Sequence, residues 1–97
     1  MMANEAVTGI FYSTANVIKE TGATLRQLYY WESLGLVHPQ YDKFGLRMYR
    51  RYSQNDIELI RKIVSYLKEG YNLQTAGKRA LSDLGEPLPN DKGGMDA

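Results

Sequence analysis

A helix stop and a helix start fall within three residues at Thr21-Gly22-Ala23-Thr24, and this spacing limits the folds open to the chain. Glycine at position 22 tolerates the left-handed conformation that ends helices. Thr24 with Gln27 three residues on has the pattern of a capping box, in which each side chain bonds the other's backbone N–H. Upstream, Ser13 is a candidate N-cap, and Ala15, Val17 and Ile18 supply a short apolar stripe. Two short helices joined by so tight a glycine turn make a helix-turn-helix.

The second helix, Leu25 to Leu34, sorts its side chains by face at helical spacing. Leu25, Leu28, Trp31 and Gly35 fall on the face expected to meet the core, and Arg26, Tyr29, Tyr30 and Ser33 on the other. Arginine and tyrosine turned away from a core are an unusual choice for a helix whose only task is packing. Gly35 ends this helix, and Leu36-Val37 return to the core.

From His38 to Tyr52 the helical period disappears. Pro39 opposes helix, Asp42-Lys43-Phe44-Gly45 offer turn residues, and Leu46 to Tyr52 alternate large and basic side chains, which predicts a small β-hairpin. Ser53 with Asp56 marks a third helix start, and Ile57, Ile60, Ile63, Val64 and Leu67 carry its apolar stripe to Gly70. Asn72 caps a fourth helix bearing Leu73, Ala76, Ala80, Leu81 and Leu84, weakened by Gly77 in its interior. Residues 1–10 read as a flexible leader, and 85–97, rich in Gly, Pro and Asp, as a disordered acidic tail. The expected domain spans 11–84.

Composition narrows the function classes. Ninety-seven residues make one domain, and 43% hydrophobic with 24% charged residues is ordinary for a soluble globular chain. No run of about 18 apolar residues offers a membrane span, and the N-terminus lacks a secretory signal, so the expected compartment is cytoplasmic. The absence of cysteine removes disulfides, thiolate metal sites and cysteine nucleophiles. His38 is the single histidine and lies beside a proline, a poor start for a metal site. Asp56 and Glu58, two apart on a helix, point in different directions, so no acid pair suggests catalysis. Neither an enzyme nor a cofactor is expected. The net charge of +1 hides an uneven distribution: Lys43, Arg47, Arg50 and Arg51 stand within ten residues that contain no glutamate or aspartate. Such a cluster suits either a solvated hairpin face or an anion-binding patch.

Helix, glycine turn, helix, basic hairpin and long helix together describe a mainly α winged helix-turn-helix with four helices and a β-hairpin wing. The residues go further. Thr21-Gly22-Ala23-Thr24-Leu25-Arg26-Gln27-Leu28-Tyr29-Tyr30-Trp31-Glu32, followed by Leu34-Gly35-Leu36-Val37-His38-Pro39, resembles the start of MerR-family transcriptional regulators. The resemblance resumes at Tyr49-Arg50-Arg51-Tyr52-Ser53-Gln54-Asn55-Asp56-Ile57 and again at Glu69-Gly70-Tyr71-Asn72-Leu73. Departures from the family pattern are specific. Tyr29 stands where the family usually has arginine, Trp31 is the second aromatic as in one branch, and Gly45-Leu46-Arg47-Met48 lengthen the wing before Tyr49. The long dimerising helix and effector domain usual in the family do not follow in this chain.

The resemblance implies double-stranded DNA as the partner, RNA polymerase as a further one, and two half-sites in a distorted promoter. Thr24, Arg26 and Gln27 would lie at the N-terminus of the recognition helix, where backbone N–H groups favour phosphate. Arg26 forks to phosphate or to guanine O6 and N7. Tyr30 corresponds to the family tyrosine that bonds phosphate, and Arg50 to the wing arginine on flanking backbone. Tyr29 and Gln27 would carry what is particular to this chain's sequence preference, and Lys43, Arg47 and Arg51 would add general attraction. Glu32 reads as structural, holding a wing or helix cation. The other reading for Tyr30 is half-buried packing, and for Arg26 an ion pair with Glu20 or Glu32.

Two rival functions fit the same outline. One is an excisionase-like architectural protein of a mobile element, and the other a protein-interaction module with a basic face. For assembly, Gly85, Pro87 and Pro89 interrupt any continuing helix, which predicts a monomer or weak dimer when free, paired on DNA. A compact dimer through Tyr66, Leu67, Leu73 and Leu81 is the alternative.

Overall fold

The computed structural model describes residues 11–85; the leader expected at 1–10 and the acidic tail beyond Gly85 lie outside the described residues. Its elements are β1 (Phe11–Tyr12), α1 (Thr14–Thr21), α2 (Leu25–Ser33), β2 (Gln40–Phe44), β3 (Arg47–Ser53), α3 (Gln54–Lys68) and α4 (Leu73–Asp83). Four helices and a three-stranded antiparallel sheet in the order β1-β3-β2 give a mainly α winged helix-turn-helix.

Local chemistry fixes where the helices begin. Asn16 N–H donates to Ser13 Oγ at 3.1 Å, Gln27 N–H to Thr24 Oγ1 at 3.0 Å and Asp56 N–H to Ser53 Oγ at 3.1 Å. In each case the N-cap N–H donates back to the side chain of the same partner, completing a capping box at the start of α1, α2 and α3. Asn72 caps α4 by accepting from Thr75 N–H at 2.9 Å. Between α1 and α2, Gly22 has φ +83°, as a left-handed C-cap requires. Thr21 stiffens this turn: its hydroxyl donates to Val17 O at 2.8 Å and accepts from Ala23 N–H at 3.1 Å.

The core gathers Val17 of α1, Leu28 and Trp31 of α2, Val37, Tyr52 of β3, Ile57, Leu59, Ile60 and Ile63 of α3, and Ala76, Ala80 and Leu81 of α4. Two expected core residues are not in it. Leu25, at the first position of α2, is 46% exposed, while Leu28 and Trp31 carry the buried face of that helix. Ala15 is exposed because the inward face of α1 runs through Val17, Ile18 and Thr21, and one residue's rotation carries Ala15 away from it. Tyr66, Leu67 and Leu73 pack against the core and Leu81 belongs to it, so the surface considered for a compact dimer is largely consumed between α3 and α4. Tyr66 Oη donates to the Asp83 carboxylate, clasping α3 to α4 from outside, and the Arg79 guanidinium of α4 lies 4.6 Å from the ring centroid of Tyr71 in the turn between them.

The wing differs from expectation in two ways. Its turn is not Asp42 to Gly45: Asp42, Lys43 and Phe44 continue β2, and the chain reverses at Gly45-Leu46, with Gly45 at φ +63°. Glycine first in a two-residue loop is the pattern that matches the right-handed twist of a hairpin, whereas four turn-forming residues in sequence do not override a paired ladder. The second difference is β1, which adds a third strand: Phe11 pairs with Ser53 and Tyr12 with Tyr52. Two residues are too few to show an alternating pattern in sequence.

Candidate nucleic-acid interface

Register decides which wing residues share a face. Tyr41 opposes Arg50 and Lys43 opposes Met48; on the opposite face Gln40 meets Arg51, Asp42 meets Tyr49 and Phe44 meets Arg47. The first face is turned to α2. Arg50 Nε donates to Glu32 Oε1 at 2.7 Å, Tyr41 Oη donates to Glu32 Oε2, and the Arg50 guanidinium stacks 4.2 Å from the Tyr29 ring centroid and 5.4 Å from that of Tyr41. Burial by itself would lower the Arg50 pKa, but the hydrogen bond and charge of Glu32 outweigh it and hold the guanidinium above its usual value. One carboxylate thus binds the wing to the helix, the structural role read for Glu32 in the sequence.

The other face is anchored differently. Arg51 pairs with Asp42 at 3.4 Å, donates to Gln40 Oε1 at 3.0 Å and lies 4.2 Å from the Phe11 ring centroid. Toward the tip, the Arg47 guanidinium lies 5.7 Å from the Tyr49 ring centroid, with Phe44 edge-on to the same ring. Neither Arg47 nor Lys43 has an acidic partner among the described residues. The four wing cations therefore divide into two that brace the hairpin and two that project free charge.

On α2, Arg26, Tyr29 and Tyr30 are exposed together, with Tyr30 at 55%, which sets aside half-buried packing for that residue. Both acids considered as partners for Arg26 are engaged elsewhere, Glu20 with Arg61 at 3.7 Å and Glu32 with Arg50. Thr24 and Gln27 sit at the helix start with their side chains turned into the capping box, where the Gln27 Oε1 accepts from Thr24 N–H and both residues border a cleft shared with Val64, Leu67 and Lys68 of α3. The structure thus brings Arg26, Tyr29, Tyr30 and Arg50 into one region spanning α2 and the wing root, while Arg51 faces away from it. Tyr41, Asp42 and Phe11 are partners that sequence reasoning missed. Placing the turn at Gly45-Leu46 would have found the first two, because the ladder follows from the turn.

A helix presenting cationic and aromatic groups, flanked by a braced basic hairpin, defines the winged helix-turn-helix class. The family model described as MerR HTH family regulatory protein matches residues 12–82. The chain belongs to that family, which makes it in general terms a DNA-binding transcription regulator. No curated protein matches it. Among the described residues, no helix is long and apolar enough to cross a membrane.

Proposed function

We propose that the chain binds duplex DNA sequence-specifically, with α2 in the major groove and the wing on the flanking backbone. The observation that carries this reading is the exposed Arg26, without an acidic partner among the described residues, beside Tyr29 and Tyr30 on a helix whose opposite face is buried. Arg26 reads guanine or clamps a phosphate, and the Tyr30 hydroxyl serves a phosphate oxygen. Arg50 and Glu32 set the angle between helix and wing, and Lys43 and Arg47 attract the backbone. Two half-sites, a distorted promoter and contact with RNA polymerase extend the reading by family resemblance.

Selection of bound sequences from a random duplex pool, at a fixed salt concentration and against competitor DNA, tests it. A recurrent motif is expected. Binding that weakens as salt rises but enriches no motif would reduce the chain to a non-specific binder, and retention of an acidic protein in place of DNA would overturn the reading.

A further inference from the structure

We propose that the wing tip is an apolar wedge for the DNA minor groove, with Leu46 as the inserting side chain and Met48 supporting it; this rests on the DNA-binding reading above. Leu46 is 98% exposed, and Phe44 and Met48 are 64% and 58% exposed. Three large apolar side chains at the end of a hairpin contribute nothing to the core and are unfavourable in water, which marks a surface made to be covered.

The charges around the tip indicate what covers it. Lys43 stands across the ladder from Met48 on one face, and Arg47 across from Phe44 on the other. Asp42, the acid of β2, is paired with Arg51, so cations without acidic partners among the described residues lie on both sides of an apolar point. The minor groove has the complementary form: two phosphate rows about 6 Å apart over a floor of stacked bases. A second copy docked tip to tip would instead bring Lys43 and Arg47 against their own kind.

Reach agrees with this. The wing is held to α2 at Tyr41 and Arg50, and the turn begins at Gly45, four positions along the chain from Tyr41. At about 3.4 Å per residue the tip extends roughly 14 Å beyond that anchor, against a major groove about 12 Å wide. A hairpin anchored beside the recognition helix therefore carries its tip past the phosphate ridge to the next groove. The two-residue turn keeps the tip narrow, and Leu46 enters side chain first. An aliphatic side chain pressed between base pairs unstacks them and bends the duplex, most readily at pyrimidine–purine steps, so the chain also selects a flexible flanking step that it does not read by hydrogen bonds.

The test uses the full chain and the duplex recovered by selection, with 2-aminopurine placed at successive flanking positions. Wild type should raise the fluorescence at one step beyond the half-site. Leu46→Ala should abolish that rise and weaken binding about tenfold, with the base preference beneath α2 unchanged, and Leu46→Glu should weaken it further. Arg47→Gln should keep the fluorescence rise while flattening the salt dependence. Leu46→Ala binding with unaltered affinity and fluorescence would overturn the wedge and leave sequence-specific binding standing. A change in sedimentation of the free protein on Leu46→Ala would reassign the tip to a contact between copies. Wild type that binds no duplex would remove both readings together.

Discussion

Leu36 Cδ2 lies 2.9 Å from the place a β-carbon on Gly77 would occupy. The glycine in the interior of α4 is therefore where that helix closes on the segment leaving α2, and its weak helix propensity accompanies a close approach. The obstructing atoms are the far end of a flexible, half-buried side chain.

Gly77→Ala should accordingly change stability by less than about 1 kcal/mol, since alanine's helix propensity, about 1 kcal/mol better, is offset by displacing Leu36. Gly77→Leu has no such escape and should destabilise by about 1–3 kcal/mol. Denaturant unfolding of the two variants measures both. A loss with alanine as large as with leucine would mean that Leu36 cannot move.

Tyr52 is fully enclosed, and its hydroxyl has no partner of full hydrogen-bond geometry among the described residues; Thr14 is near enough only to temper the effect of burial. Burial pushes the phenol above its usual 10.0. The folded state then holds its proton more tightly than the unfolded state, so stability is unaffected below pH 10 and falls as pH rises above it. Tyr52→Phe should leave neutral-pH stability unchanged or raise it by about 1 kcal/mol, and should shallow the alkaline decline. Thermal unfolding from pH 7 to 11 tests the sign. A marked loss at neutral pH would show that the hydroxyl is satisfied.

Arg26→Ala should weaken binding to the selected duplex by about 1–3 kcal/mol and relax preference at one base pair if the side chain reads an edge. An equal loss on every duplex would assign it to phosphate. Titrations on selected and scrambled duplexes separate the two, and no change on either would remove α2 as the reading element.

The wing arginines should not behave alike. Arg47 has no acidic partner among the described residues, so Arg47→Gln should reduce the salt slope by about 0.9. Arg50 is neutralised by Glu32, so Arg50→Gln should change the slope less while costing more discrimination, through loss of the helix–wing brace. Glu32→Gln, which frees Arg50, should strengthen non-specific binding. Equal slopes for Arg47→Gln and Arg50→Gln would contradict this division.

Sequence reading was strongest where structure is local. Ser13, Thr24, Ser53 and Asn72 were legible as helix starts because a cap and its partner lie within three residues, and Val17, Leu28, Trp31 and Ile60 because helical period reports a buried face. What escaped depends on pairing across the chain. Phe11 becomes a strand only because Ser53 is there to pair with it, and Leu25, apolar and at helical spacing with Leu28, is nonetheless exposed at the first turn of α2. At the site the cations were legible as a cluster, but the division between bracing and projecting charges was not, since Asp42 and Glu32 choose their partners through the register of a hairpin whose turn lay two residues from the expected centre.

Ser53 closes the β3 ladder opposite Phe11 and, through its hydroxyl, opens α3. The wing and the longest helix of the core therefore meet at one residue, with no slack between them. Mechanically the hairpin is a lever set in the body of the protein: a sideways load on its tip passes into α3 at a capped joint, so in the proposed complex the bend would fall on the duplex rather than on the wing.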